Sequence, residues 1–364
     1  MACGVCALIP NYPLEKLDIK LVVEADDPET RGAIAGLGLG PPFEIIVAPA
    51  GGPRTKPKAL NAALPFARGT FTAVYDAEDR PESDQLRCAV DAFLASGSEL
   101  ACVQARLTID NTEDSWITRI FTAEYAGLFD VFLPGLAARR LPLPLGGSSN
   151  HFRTAVLREV KGWDPYNVTE DADLGMRLAR FGYVSGVIAS TTYEEAPAAI
   201  GPWLRQRTRW FKGWMQTWLV HMRSPSALLA DLGFAGFVTF QLVVGGTVLA
   251  ALVHPIFVGM LVAQLALGEP LLNGPGLSET VFSALYVGAF LAGYFTSAAL
   301  GLIGLKRRGL VSQGWALALV PFHWIMLSIA AWRALFALVR SPHHWEKTEH
   351  GLARSSRYAR LFMR

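Results

Sequence analysis

Apolar residues are spread unevenly along the 364-residue chain, and this unevenness constrains the fold more than any other feature. Residues 1–225 read as a mixed, charged sequence, whereas residues 232–339 are dominated by long apolar runs. One run covers 232–267, with an interruption at His254-Pro255. A second covers 280–305, and a third covers 313–339 and contains Pro321. Each is long enough for the ~20 residues that a helical membrane crossing needs. The expected organisation is a globular domain over 1–225, ending in an amphipathic helix at 200–222. A membrane region with three to four segments over 230–340 and a basic tail over 341–364 follow. The composition, 51% hydrophobic and 18% charged, agrees: too apolar for an ordinary soluble enzyme, too charged for a pure membrane bundle.

Charge gives an orientation. The link between the second and third runs carries Lys306, Arg307 and Arg308, and the tail carries Lys347, Arg354, Arg357, Arg360 and Arg364. The linker at 268–279, GEPLLNGPGLSE, has no Lys or Arg. An excess of basic residues marks the cytoplasmic side, which puts the 306–308 link and the tail inside and the 268–279 linker outside. The third run then starts and ends on one side, although ~27 residues is short for two crossings. Either it is re-entrant or interfacial, or the first run crosses twice, or the tail is outside. His323, Trp324, Trp332 and Arg333 favour an interfacial stretch, because such side chains suit the headgroup level. The net charge of +2 argues against a nucleic-acid partner. Cys3 and Cys6 form a lone C-x-x-C with no second pair to complete a zinc site; with Cys88 and Cys102 they read as reduced, cytosol-facing thiols. The first residues carry no basic n-region, so no secretory signal is expected.

Short β-branched runs at 19–24, 43–48, 71–75, 101–107 and 183–189 alternate with helical patterns such as 83–95 and 174–181. That alternation predicts an α/β fold with a largely parallel sheet. Ligands of such sheets sit beyond the C-terminal ends of the strands. Two acidic clusters, EADD at 24–27 and DAED at 76–79, fall at such ends.

Asp76, Glu78 and Asp79 can be read two ways. Hard carboxylate oxygens at a strand end suit Mg²⁺ or Mn²⁺. The same acids also suit a solvated turn before a helix. Glu170, Asp171 and Asp173 suit the positive end of a helix behind Thr169, while a positioned carboxylate here could also take a proton from an acceptor hydroxyl. In QRTRW at 206–210, Gln206, Arg209 and Trp210 share one helical face. They offer an amide, a forked cation for a diphosphate and an aromatic platform for a sugar ring. The bland alternative is a basic, Trp-rich helix on an anionic membrane surface. Lys56 and Lys58 in TKPKALN could neutralise phosphate or only be solvated. Gly146, Gly147 and Ser148 in LGGSSNHFR, with Arg153 close by, could form an acceptor loop or a turn.

EADD, KPKALN, DAED, TED and QRTRW occur in that order, and the set resembles the motifs of family-2 glycosyltransferases of the cellulose, chitin and hyaluronan synthase type. WEKTEHG at 345–351 resembles the tail of bacterial members. The resemblance implies a GT-A fold, a UDP-sugar donor, Mg²⁺ or Mn²⁺, and inversion by a single displacement. It implies that Asp26 or Asp27 contacts the uridine and that Lys58, Asp76, Gln206 and Arg209 hold the nucleotide and diphosphate. Asp76, Glu78 and Asp79 hold the metal, and Asp171 is the base. Trp210, Glu170, Gly147 and Ser148 meet the acceptor. The implied setting is a bacterial inner membrane, multi-pass, with the catalytic domain cytoplasmic.

Two features depart from the family pattern. Glu78 replaces the second Asp of DxD, and only eighteen residues precede Ile19 where a further strand-helix unit is usual. The expectation is an N-terminally truncated chain with an exposed sheet edge. Three functions follow: a polysaccharide synthase using UDP-glucose or UDP-N-acetylglucosamine, a transferase that adds one or few sugars to a lipid, and an inactive membrane partner. A transporter fits poorly, because the acids and QRTRW lie outside the apolar runs.

Overall fold

The computed structural model describes residues 11–268, 276–342 and 353–358. Cys3, Cys6, most of the 268–279 linker, WEKTEHG and the last residues of the tail lie outside that range.

The chain opens with β1 (Ile19–Glu24), α1 (Pro28–Gly36), β2 (Phe43–Ala48) and α2 (Lys56–Ala63). There follow β3 (Phe71–Val74), β4 (Arg80–Pro81), α3 (Gln85–Leu94), β5 (Leu100–Ile109), α4 (Trp116–Gly127) and α5 (Leu133–Ala138). The globular unit ends with β6 (Asn150–Arg153), α6 (Thr154–Glu159), α7 (Glu170–Arg180), β7 (Val184–Glu194) and α8 (Ile200–His221). The apolar part contains α9 (Pro225–Phe240), α10 (Thr247–Ala266), α11 (Leu277–Arg307) and α12 (Val320–Arg340).

The expected strands form, but the sheet is mixed rather than largely parallel. Five strands lie in the order β3-β6-β5-β7-β4, with β5 and β7 parallel and the other neighbours antiparallel. The strand that changes the pattern is β6, which comes from NHFR inside the glycine- and serine-rich segment. It pairs with β3 on one side and β5 on the other. The central strands are buried on both faces: Ala101, Cys102, Val103, Ala105 and Leu107 are almost fully covered, which explains why β5 is apolar without alternation. TKPKALN, at 55–61, forms the start of α2. Thr55 precedes α2, and Pro57 sits in its first turn, where its missing N–H costs nothing.

The remaining strands, β1 and β2, form a separate parallel pair in which Ile19 faces Phe43. They do not join β3. A groove of about 980 Å³ lies between β1 and β3, lined by Leu21, Val23, Phe71 and Ala73.

Among the described residues, four helical stretches are long and apolar enough to cross a membrane: Trp116–Ala138, Pro225–Ala266, Leu277–Arg307 and Val311–Arg340. The first is half buried against protein. It begins with a capping box in which Ser115 Oγ accepts from Thr118 N at 3.2 Å. The final turns of α11 dock on α4 through small residues: a Cβ on Gly304 would lie 2.2 Å from the carbonyl carbon of Ala126. Just beyond, Arg308 meets buried Asp130 at 2.5 Å, and Arg106 meets it at 3.0 Å. The outer part of α10 and α11 shows a belt of exposed side chains that includes Ile256, Leu265, Phe282 and Phe295. The interruption expected at His254-Pro255 is absent, because α10 continues through Pro255. The irregularities lie earlier, at Gly233 with φ 65° and at a π-helical segment, Gln241–Gly246.

Both ends of the third apolar run are tied to the globular unit. Ahead of α12, Arg119 Nε donates to Gln313 Oε1 at 2.9 Å. Beyond it, Lys212 and Gln216 on α8 donate to the carbonyls of Ser341 and Pro342 at 3.3 and 2.9 Å. Between these points α12 packs along α8.

Candidate active site

The site is assembled where β3 ends, where α7 begins, and where the Gly146–Ser148 loop crosses between them. The turn after β3 is fastened from inside. Asp79 is buried, and its Oδ2 accepts from Asp76 N at 2.8 Å and from Ser148 Oγ. Asp79 therefore ties the DAED turn to the loop, and the hydroxyl of Ser148 is used for that purpose. Glu78 is exposed. Asp76 is half-buried and forms an ion pair with Lys56. The same ammonium donates to Gly147 O at 2.6 Å. Lys56, at the first turn of α2, thus connects three segments of the site.

The candidate base sits on the first turn of α7. Asp171 Oδ1 accepts from Ala172 N at 2.8 Å, which fixes the carboxylate against the helix N-terminus. Its Oδ2 is turned toward the loop: a Cβ on Gly147 would lie 3.3 Å from it. A glycine at 147 keeps that approach open. The α7 start is held by α8, because Gly213 leaves no room: its Cβ would meet Thr169 Oγ1 at 2.3 Å and Thr169 N at 2.7 Å. Asp173 takes no part in the cleft. It is buried, bonded to Arg177 at 2.7 Å and His221 at 3.1 Å, and anchors α7 to the end of α8.

Acids outnumber cations here. Asp76, Asp79, Glu170, Asp171 and Glu194 lie within electrostatic reach of one another, of Lys56 and, for three of them, of Arg209. Burial and then Asp76 push the Asp79 carboxyl up to about 7. Burial and then Asp171 push Glu170 up to about 8. Asp171 is also raised, mainly by burial, and Glu194 is raised well above the usual range by burial and then Asp79. Burial alone would lower the Lys56 ammonium, but Asp76 and Glu170 outweigh it and raise it. Such an excess of hard oxygen donors fits a divalent cation with a diphosphate as co-ligand. The protein atoms do not form a closed cage: among the described residues, no group of three His, Cys, Asp or Glu side chains is arranged to hold a metal.

Other expected residues divide into two sets. Gln206 is buried, and its Oε1 has no hydrogen-bond partner in the protein. Arg209 faces Glu170, Asp171 and Asp76, and burial lowers its affinity for the proton. Trp210 turns toward α4, with its ring edge-on to Phe121 at 5.9 Å and the Arg207 guanidinium 4.6 Å from its centroid. Arg207 is paired with Glu124 at 2.6 Å and is structural. On the other side, Asp27 caps α1 by accepting from Thr30 N at 3.0 Å, and Asp26 pairs with Arg54 at 2.8 Å. Lys58 donates to Gly51 O at 2.9 Å and lies 3.8 Å from Glu24. These three lie toward the β1–β2 pair rather than around Asp171. Arg153 holds the carbonyls of Leu100 and Phe93 and belongs to the core. Lys56 as a bridge and Glu194 as a fifth acid were not singled out by sequence; Glu194 ends β7, the strand-end position where ligands gather.

Comparison with known proteins agrees with this geometry. The chain is 25% identical over 206 residues to a probable glycosyltransferase, YdaM, of Bacillus subtilis, a match that covers 56% of this chain and 49% of that protein. It is 27% identical over 225 residues to a beta-monoglucosyldiacylglycerol synthase of Synechocystis sp., covering 60% of this chain and 45% of that protein. The chain thus spans about half the length of these relatives. Among solved structures, the mannosyltransferase PcManGT from Pyrobaculum calidifontis, in complex with GDP-Man and Mn²⁺, matches with a TM-score of 0.50 and 18% identity, over 92% of this chain and 83% of that one. This likeness concerns the fold. The profile of glycosyl transferase family group 2 matches residues 71–340, from β3 to the end of α12, and the chain belongs to that family of glycosyltransferases.

Proposed function

We propose that the protein is an inverting transferase that moves a sugar from a UDP-sugar to a lipid hydroxyl at a membrane surface. The observation that carries the chemistry is Asp171. One of its oxygens is fixed by the α7 N-terminus, and the other is turned to the open loop at Gly147. The acceptor hydroxyl lies there and gives its proton to Asp171 as its oxygen bonds to the anomeric carbon. The bond from that carbon to the diphosphate breaks, and the electron pair leaves with UDP. Asp76 and the diphosphate would hold Mg²⁺ or Mn²⁺, which supplies neutralising charge when bound. Lys56 and Arg209 face the same developing charge, and Gln206 Oε1 is a buried acceptor without a partner among the described residues.

The lipid acceptor is supported by the helices. With α12 lying along α8 and attached at both ends, and 116–138 half buried, two stretches are left to cross the bilayer. By themselves, these two described stretches enclose no path for a polymer. The relative that makes monoglucosyldiacylglycerol supports the same acceptor class. A polysaccharide product is the second reading, favoured by Trp210 beside the site. The orientation proposed is a bacterial inner membrane protein with a cytoplasmic catalytic unit.

The test is product analysis with the purified full chain, Mg²⁺ or Mn²⁺, a panel of radiolabelled UDP-sugars and diacylglycerol. Label is expected in the lipid extract, and Asp171→Asn is expected to lower transfer by ~10²–10⁴-fold while UDP still binds. Label found only in polymer overturns the lipid reading. Turnover unaffected by Asp171→Asn overturns the base assignment. Absence of any turnover would support an inactive partner.

A further inference from the structure

The geometry points to a hydrocarbon-binding pocket behind the acceptor loop, where an acyl chain of the lipid acceptor lies while its hydroxyl reaches Asp171. The inference rests on the lipid reading above and adds the site that reading lacks. A cavity of about 540 Å³ lies between the catalytic unit and the α9–α10 stretch, within the ~300–1,000 Å³ typical of ligand sites. Its inner wall is Leu128 and Phe132 of the π-helical segment Leu128–Phe132, and its outer wall is Leu242 and Val243 of the second π-helical segment. Single π turns inside helices are frequent at functional places. Here two of them face each other across one cavity.

The position connects chemistry to lipid. Gly146 lines the cavity, and the next residue, Gly147, lies over Asp171 Oδ2. Trp214, one helical turn beyond Trp210 on α8, also lines it. On the outer side, Leu242 and nearby Leu249 are exposed, 68% and 60%, on a stretch apolar enough to cross a membrane. The cavity is thus bounded on one side by the loop that faces the proposed base and on the other by a lipid-facing helix.

The lining also identifies the occupant. A sugar chain needs hydrogen-bond partners along its path, and this wall has used its hydroxyls and the Gly146 peptide groups, leaving the Trp214 indole N–H as its side-chain donor. Thr239 Oγ1 donates to Ala235 O at 2.8 Å, and Thr247 Oγ1 donates to Val243 O at 2.7 Å. Gly146 N donates to Gln104 Oε1 at 2.8 Å, and Gly146 O accepts from Asn150 Nδ2 at 2.5 Å. What is left is mostly aliphatic and aromatic carbon, which a hydrocarbon chain matches.

The experiment uses the full chain in lipid nanodiscs with a diacylglycerol carrying a photoreactive diazirine midway along one acyl chain. Labelled peptides are mapped by mass spectrometry. Labelling is expected within 128–136 and 239–247, and Val243→Trp, which fills the cavity, is expected to reduce it at least ~10-fold and raise KM for diacylglycerol similarly. Leu249→Trp, on the outward face, is the control and is expected to change neither. Labelling confined to outward residues such as Leu249 and Phe282 overturns the inference, as does undiminished pocket labelling in Val243→Trp. If the pocket is labelled but sugar is never transferred to lipid, the pocket stands and the proposed reaction fails.

Discussion

Gly213 on α8 abuts Thr169, and adding a Cβ places it 2.3 Å from Thr169 Oγ1 and 2.7 Å from Thr169 N. The second atom is backbone, so a rotamer change cannot relieve the clash. In Gly213→Ala two effects oppose each other. Alanine favours the helix by about 0.5–1 kcal/mol over glycine, whereas overpacking costs about 1–3 kcal/mol. The net loss of stability is therefore small, about 0–2.5 kcal/mol by those two ranges. Catalysis is affected more. Relief of the clash moves the turn at Thr169, and Asp171 is two residues further on. A displacement of about 1 Å costs on the order of 100-fold in rate. The expected result is a thermal midpoint lowered by a few degrees at most and sugar transfer lowered about 100-fold. Gly201→Ala is the comparison: its Cβ meets only Arg205 Nη1, at 3.8 Å, and full activity is expected. Wild-type transfer by Gly213→Ala would refute the claim that α8 sets the position of the base.

Three further outcomes are expected. Lys56→Met removes the bridge from Asp76 to Gly147; KM for the UDP-sugar should rise about tenfold, the loss of one interaction of about 1.4 kcal/mol, and an unchanged KM in steady-state kinetics would count against the bridge. Arg308→Ala leaves buried Asp130 with Arg106 alone, so thermal unfolding should show a loss of about 3 kcal/mol, the lower end for breaking a buried pair. Asp79 and Glu170 have folded-state values raised to about 7 and about 8, so their protonated forms stabilise the fold below the usual carboxylate range, and that contribution is lost as pH rises toward 8. Without metal the melting temperature should fall from pH 5 to 8, and Mn²⁺ with UDP should restore it; a flat profile would show that these acids ionise without penalty.

Much of the fold was legible because β-branched runs are local signals. The stretches at 19–24, 43–48 and 71–75 became β1, β2 and β3 within a residue. The strand β6 was not legible, because Asn150, His151 and Arg153 carry no strand pattern, and pairing with two neighbours decides it. In QRTRW, helical spacing put Gln206, Arg209 and Trp210 on one face, but spacing cannot say what covers the rest of that arc. Phe121 and Glu124 on α4 draw Trp210 and Arg207 to one side, and Arg209 is left to the acids. The bridge from Lys56 to Gly147 joins residues 91 apart, a pairing only the fold creates.

The basic link at 306–308 shows why one charge can serve two purposes. As sequence it reads as an inside marker. In the fold, Arg307 donates to Asp130 O, while Arg308 meets the Asp130 carboxylate and donates to Leu107 O at 2.9 Å. Leu107 lies on β5, the central strand of the sheet. The two readings are compatible only if this link lies on the side of the membrane that holds the catalytic unit. The tail agrees, since Ser356 Oγ and Tyr358 N both donate to Asp110, at 2.6 Å each. Thus α11 ends, α12 begins and ends, and the tail returns, all against one body. Counting the third apolar run as a crossing produces the parity conflict; under the proposed arrangement, with α12 along α8, the conflict does not arise. On the proposed lipid reading, the acceptor reaches Asp171 from the bilayer sideways, between α9–α10 and the globular unit, which is where the apolar cavity lies.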